Sequence, residues 1–102
     1  MNKRLALLEQ LVSSGKADSF ARYGLAMEYR KEGRHEDALA AFQALREADA
    51  SYLPMYLMTG QLLMEMSRND DAKEWLRAGI ELAKTKGDGK TLSELEDALA
   101  ET

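Results

Sequence analysis

Cysteine is absent from the 102-residue chain, which removes disulfide scaffolds, thiolate zinc sites and thiol catalysis together and fits a reducing compartment. Histidine occurs once, at His35, so no nucleophile–base pair built on a thiol or a second imidazole can be assembled. Basic residues are outnumbered: 14 Lys and Arg against 18 Asp and Glu leave a net charge of −4 and a pI of about 5.0. A long polyanion would find no basic footprint here, and nucleic acid is not an expected partner. Long apolar runs are missing as well, since none approaches the roughly 18 residues of a membrane span. The opening Met1-Asn2-Lys3-Arg4-Leu5-Ala6-Leu7-Leu8 imitates a signal peptide, but Glu9 and Gln10 end the apolar run after four residues, too early for a leader. What remains is an ordinary globular mixture, 45% apolar and 31% charged, expected to be cytoplasmic and without metal or cofactor.

The chain is organised by a repeat. Sliding residues 19–52 onto 53–86 superposes Arg34 on Arg68, Asp37 on Asp71, Ala38 on Ala72, Ala44 on Ala78 and Glu47 on Glu81, with no gap. Ala26 meets Gly60, Tyr29 meets Leu63, and Phe42 meets Leu76. A fixed period of this length marks an architecture in which one supersecondary unit stacks on the next.

Helical periodicity fills both copies and their flanks. Leu5, Leu7, Leu8, Leu11 and Val12 predict a first helix over 2–14, stopped at Gly15. Shifted by one period it matches the second helix of a preceding unit, so it is expected to cap the open end of the stack. Asp18 or Ser19 caps a second helix carrying Phe20, Tyr23, Leu25, Ala26, Met27 and Tyr29, closed near Glu32 by a left-handed Gly33. His35 to about Ala48 is its partner. Pro54, tolerated in a first helical turn, opens a helix running to about Met66. Asn69 or Asp70 is expected to cap the next, which runs to about Thr85. After Lys86-Gly87-Asp88-Gly89, a last helix reaches Ala100, with Thr91 or Ser93 near its cap. No run has the alternation and turn signals of a strand pair. The fold class read from the residues is all-α, with five to six helices and no sheet.

These residues resemble tetratricopeptide repeats, whose pattern places small residues where two antiparallel helices cross. The small positions here are Ala26 with Ala38 and Gly60 with Ala72. The large pegs are Leu25, Tyr29 and Phe42, then Leu63 and Leu76, and Gly33 matches the family's turn glycine while Ser67 stands there in the second unit. Departures are Arg22 and Tyr56 for the leading Trp, Thr59 where Leu25 stands, Leu45 where alanine is preferred, and no closing Pro. The resemblance implies one domain over 1–102, as an antiparallel helix-pair stack. Its parts are an N-terminal capping helix at 2–14, repeats at 19–52 and 53–86, and a C-terminal capping helix at 90–101, finished at both ends. Trp75, Gly79 and Leu82 form a side stripe expected to seat Leu92, Leu95 or Leu99 and to bury Trp75 under the last helix.

The same resemblance implies a concave groove lined by the first helix of each unit. The residues turned into it are Phe20, Tyr23, Met27, Arg30 and Lys31, then Leu57, Gln61, Met64 and Glu65. Where chaperone-tail binders of the family carry Lys, Asn and Arg, this chain has Tyr23, Met27 and Met58, so that charge clamp is missing. An apolar, methionine-bearing stripe suits an amphipathic helix or an apolar extended peptide of another protein, with Arg30 and Lys31 able to meet a carboxylate at one end, or a second copy of the chain. Which protein partner that is, the residues do not encode.

Catalytic candidates dissolve on inspection. Gly89-Lys90-Thr91 ends like a phosphate loop, but Lys84 replaces the required first glycine and no strand precedes it. His35-Glu36-Asp37-Ala38-Leu39 begins like a zinc-protease helix and lacks the second histidine. Asn69-Asp70-Asp71 lacks the spaced ligands and later Glu of a calcium loop. Glu94, Glu96, Asp97 and Glu101 read as a solvated face. No catalytic or metal residue is assigned, and the expected function is a non-catalytic interaction module.

Overall fold

A computed structural model describes residues 2–102. They form six helices and no strand: α1 Lys3–Ser13, α2 Ser19–Lys31, α3 His35–Ala48, α4 Pro54–Glu65, α5 Asn69–Lys86 and α6 Gly89–Ala100. The chain divides into two compact units, Met1–Ala50 with α1–α3 and Ser51–Thr102 with α4–α6.

In the first unit α2 packs on both α1 and α3. Asn2 and Asp18 cap α1 and α2, their side-chain oxygens accepting from the amides of Leu5 at 3.0 Å and Ala21 at 2.8 Å. Each such bond satisfies one of the four amides a helix start leaves unpaired. Leu5, Leu8 and Leu25 form a buried cluster, joined by Val12, Ala21, Tyr29 and Ala41. Leu7, one of the apolar residues whose spacing predicts α1, is 57% exposed. It falls off the i, i+3, i+7 line of Leu5, Leu8 and Val12, and a helix with one packed neighbour buries one line only. Polar ties reinforce the α1–α2 contact: the Tyr29 hydroxyl donates to Glu9 Oε2 at 2.6 Å, and Arg4 Nε lies 2.9 Å from Glu28 Oε1.

The second unit brings α5 against α4 and α6. Gly60 is buried, and a Cβ there would lie 2.7 Å from Leu76 Cγ, closer than real Cβ atoms come. The small residue is therefore required by the close approach. Gly79 has the same function between α5 and its neighbours, where a Cβ would stand 2.6 Å from Tyr56 Cβ and 3.1 Å from a Leu95 methyl. Leu95, rather than Leu92 or Leu99, thus occupies the notch, and it is fully buried. Trp75 is also buried, its ring 5.9 Å from that of Tyr56 on α4.

Two cap assignments need correction. Residue 68, not Asn69 or Asp70, occupies the N-cap of α5, and no side chain caps it. Arg68 instead reaches Asp71 at 2.8 Å, repeating the 2.9 Å Arg34–Asp37 pair at the start of α3. Asp71 and Asp37 sit in the first turn, where a carboxylate opposes the positive end of the helix. Likewise α6 begins at Gly89 and is capped by Asp88, which accepts from the Thr91 amide at 3.0 Å and hydroxyl at 2.8 Å. Gly87, at φ 69°, follows the last residue of α5 and redirects the chain, so that only Gly87 and Asp88 stand between the helices.

Candidate functional site

The residues proposed to meet a partner lie on two helices, one in each unit. On α2, Phe20, Tyr23, Met27 and Lys31 recur at i, i+3, i+7 and i+11, which is one helical face. The opposite side of α2 holds buried Leu25 and Ala26. Phe20 heads the face and is 68% exposed; Tyr23 and Met27 are half-buried, and Lys31 is exposed. Tyr23 sits edge-on to buried Phe42, ring centroids 6.2 Å apart. Its position is thereby fixed from within the unit. Arg30 is half-buried beside this line.

On α4, Leu57, Gln61 and Met64 recur at i, i+4 and i+7 and are all half-buried, with exposed Glu65 beside the last. The rest of this helix is unusually apolar: Met55, Tyr56, Thr59, Gly60, Leu62 and Leu63 are buried. Thr59 is the exception in kind. Its hydroxyl is fully buried and meets no hydrogen-bond partner.

The residues marked Arg30 and Lys31 as a charged end of the α2 face, but not the part the start of α1 plays there. Asn2, Lys3, Arg4, Glu28, Lys31 and Glu32 line an open cleft of about 510 Å³ where the start of α1 meets the end of α2. Glu28 is tied down inside it, only 12% exposed, accepting from Arg4 Nε at 2.9 Å and Asn2 Nδ2 at 3.1 Å. The signal was present in Lys3 and Arg4, but only folding brings them to Lys31.

Charges elsewhere have structural explanations. Burial, and then the hydrogen bond to Glu9, push the Tyr29 hydroxyl up to about 12. Arg34 lies over the same ring, 4.6 Å from its centroid, and its bond to Asp37 raises it above the ordinary guanidinium value. The Thr91 amide and hydroxyl hold Asp88 below the usual carboxylate range. The start of α6, which imitates a phosphate loop, is thus occupied by the protein's own carboxylate. His35 is an exposed first residue of α3, and no group of three or more metal-ligating side chains forms among the described residues.

Known proteins place this arrangement. The tetratricopeptide repeat family model matches residues 29–92, well over half the chain. The crystal structure of a tetratricopeptide repeat domain protein from Salinibacter ruber is 41% identical, with a TM-score of 0.77 over 83% of this chain and 94% of that one. A solution structure of a tetratricopeptide repeat domain protein from the same organism is 42% identical, covering 82% and 85% with a TM-score of 0.78. A Bordetella parapertussis protein, 22% identical, shares the fold with a TM-score of 0.84 over 99% of this chain and 88% of its own. Among curated proteins none matches. The small residues at the helix crossings, the left-handed turn at Gly33 and these likenesses agree: the chain belongs to the tetratricopeptide repeat family.

Proposed function

We propose that the chain is a non-catalytic module that binds a short peptide or amphipathic helix of another protein on the apolar face of α2, with α4 in the second unit presenting a face of the same kind. Protein–protein interaction is the general role of the tetratricopeptide fold, and no helix among the described residues is long and apolar enough to cross a membrane. The observation that carries the finer reading is Phe20. A phenylalanine 68% exposed, in line with Tyr23 and Met27, leaves aromatic surface in water that a partner would cover. Met27 and Met64 add side chains that adapt to irregular apolar partners. The lack of cysteine accords with a cytoplasmic setting.

The test is selection from a displayed random-peptide library against the wild-type chain, followed by re-measurement on Phe20→Ser and Met27→Ser. Selected peptides should share an apolar spacing and lose most of their affinity to Phe20→Ser, whose far-ultraviolet circular dichroism should stay native. Peptides that bind the variant equally well would place the site elsewhere.

A further inference from the structure

We propose that the peptide bound on α2 is acidic at one end, its carboxylates settling in the cleft formed by Lys3, Arg4 and Lys31 while its apolar side chains cover Phe20, Tyr23 and Met27. The inference rests on the reading of α2 as a peptide-binding face and adds the charge and direction of the partner.

Continuity is the first support. Lys31 ends the α2 line and also walls the cleft, so the apolar face runs directly into a charged one. From Phe20 to Lys31 the helix rises about 16 Å at 1.5 Å per residue. That length matches about five residues of extended peptide or three turns of a docked helix.

Charge is the second. Arg4 and Glu28 neutralise each other in the cleft as an ion pair, with Asn2 also donating to Glu28, which leaves Lys3 and Lys31 facing Glu32 alone. Lys3 and Lys31 are exposed and the Arg4 side chain is 62% exposed. The protein's negative excess lies elsewhere: residues 1–50 carry equal numbers of basic and acidic side chains, and the whole net charge of −4 falls in 51–102.

Helix stability accounts for only part of this. Arg30 and Lys31 stand in the last turn of α2, where cations complement the negative helix end. Lys3 and Arg4 stand at the opposite, positive end of α1, whose first turn has no acidic residue. There the same dipole disfavours them; Glu28 already answers Arg4, and an arriving carboxylate would do the same for Lys3.

The test uses the full chain and three synthetic peptides sharing one apolar pattern but ending in a run of Glu, Gln or Lys, with affinities read by fluorescence anisotropy. Rim ion pairs each contribute a few-fold, so the Glu peptide should bind about tenfold tighter than the Gln peptide in low salt. That margin should shrink as salt screens the exposed charges. Lys3→Glu combined with Lys31→Glu alters only exposed side chains and should invert the order, so that the Lys peptide binds best. Equal binding of the Glu and Gln peptides, still lost in Phe20→Ser, would overturn the proposed charge and leave the α2 face standing. Failure of all three peptides, or a concentration-dependent dimer that Phe20→Ser dissolves, would overturn both readings, the latter assigning the face to a second copy.

Discussion

Thr59→Val should make the protein more stable. In the second repeat Thr59 stands where Leu25 stands in the first, and it is fully buried with its hydroxyl unpartnered. Desolvating a hydroxyl without a replacement hydrogen bond costs about 1–3 kcal/mol by the measure of protein mutants. Valine keeps the β-branch, which restricts the side chain in the same way, and replaces the hydroxyl with a methyl of similar size. The buried site then gains apolar contact where it held an unpaired dipole. Allowing for imperfect fit of the new methyl, a gain of about 1 kcal/mol is expected, which raises Tm by roughly 4–8 °C in a protein of this size. The assay is urea denaturation followed by circular dichroism, with the midpoint moving up and the slope unchanged, so that stability and not denatured-state compactness is what changed. Thr59→Ser is the control: it retains the hydroxyl, loses the methyl, and should fall below wild type. A Thr59→Val protein less stable than wild type would refute the reasoning, because it would mean that the hydroxyl finds a partner in solution, such as water or a carbonyl of the preceding turn.

Four further substitutions probe the turns, the packing and the titration. Ser67 holds a left-handed φ of 58° at the place where the first repeat has Gly33 at 75°; Ser67→Gly should gain about 1 kcal/mol by removing the side-chain clash of that conformation, read as a higher denaturation midpoint. Gly79→Ala would put a Cβ 2.6 Å from Tyr56 Cβ, an overpacking cost of about 1–3 kcal/mol that outweighs the helix-propensity gain of roughly 1 kcal/mol. Gly89→Ala, with nothing within 4 Å, should show none of that loss in the same melt. Tyr29, raised to about 12, keeps its proton in the folded chain after an unfolded tyrosine has lost it near 10. Its stabilising contribution is therefore full below pH 10 and falls as pH rises toward 12; Tyr29→Phe should delete a phenolate step near pH 12 in a near-ultraviolet titration, and its persistence would reassign that step.

What the residues disclosed was what repeats. Arg34 on Arg68 and Asp37 on Asp71 were legible as identities before anything was known of their geometry, and they prove to be one ion pair built twice at the start of a helix. Gly33 was legible as a left-handed turn because glycine favours that conformation. Ser67 could be aligned with it, but that a serine adopts the same φ is set by the bonds around it: the Ser67 amide to the Met64 carbonyl at 3.0 Å and the Arg68 amide to the Leu63 carbonyl at 2.8 Å. The Asp88 cap was missed for a related reason. A single left-handed glycine turns the chain so sharply that α6 starts at Gly89, a residue whose own propensity argues against it.

The candidate site divides along the same line. Phe20, Tyr23, Met27 and Lys31 are spaced for one face of a helix, so periodicity alone could group them. Periodicity could not decide which of them water reaches, because that depends on how far α1 and α3 extend around α2. Leu7 shows the converse, an apolar residue at helical spacing that no neighbouring helix covers. The basic cleft was beyond any local pattern: Arg4 and Glu28 are 24 positions apart in the chain and 2.9 Å apart in space. It is made by an antiparallel pairing that brings the start of one helix to the end of the next. That pairing also brings Lys3 to the side of Lys31, and so extends the cationic end of the apolar face, which Arg30 and Lys31 marked in the sequence, into a cleft.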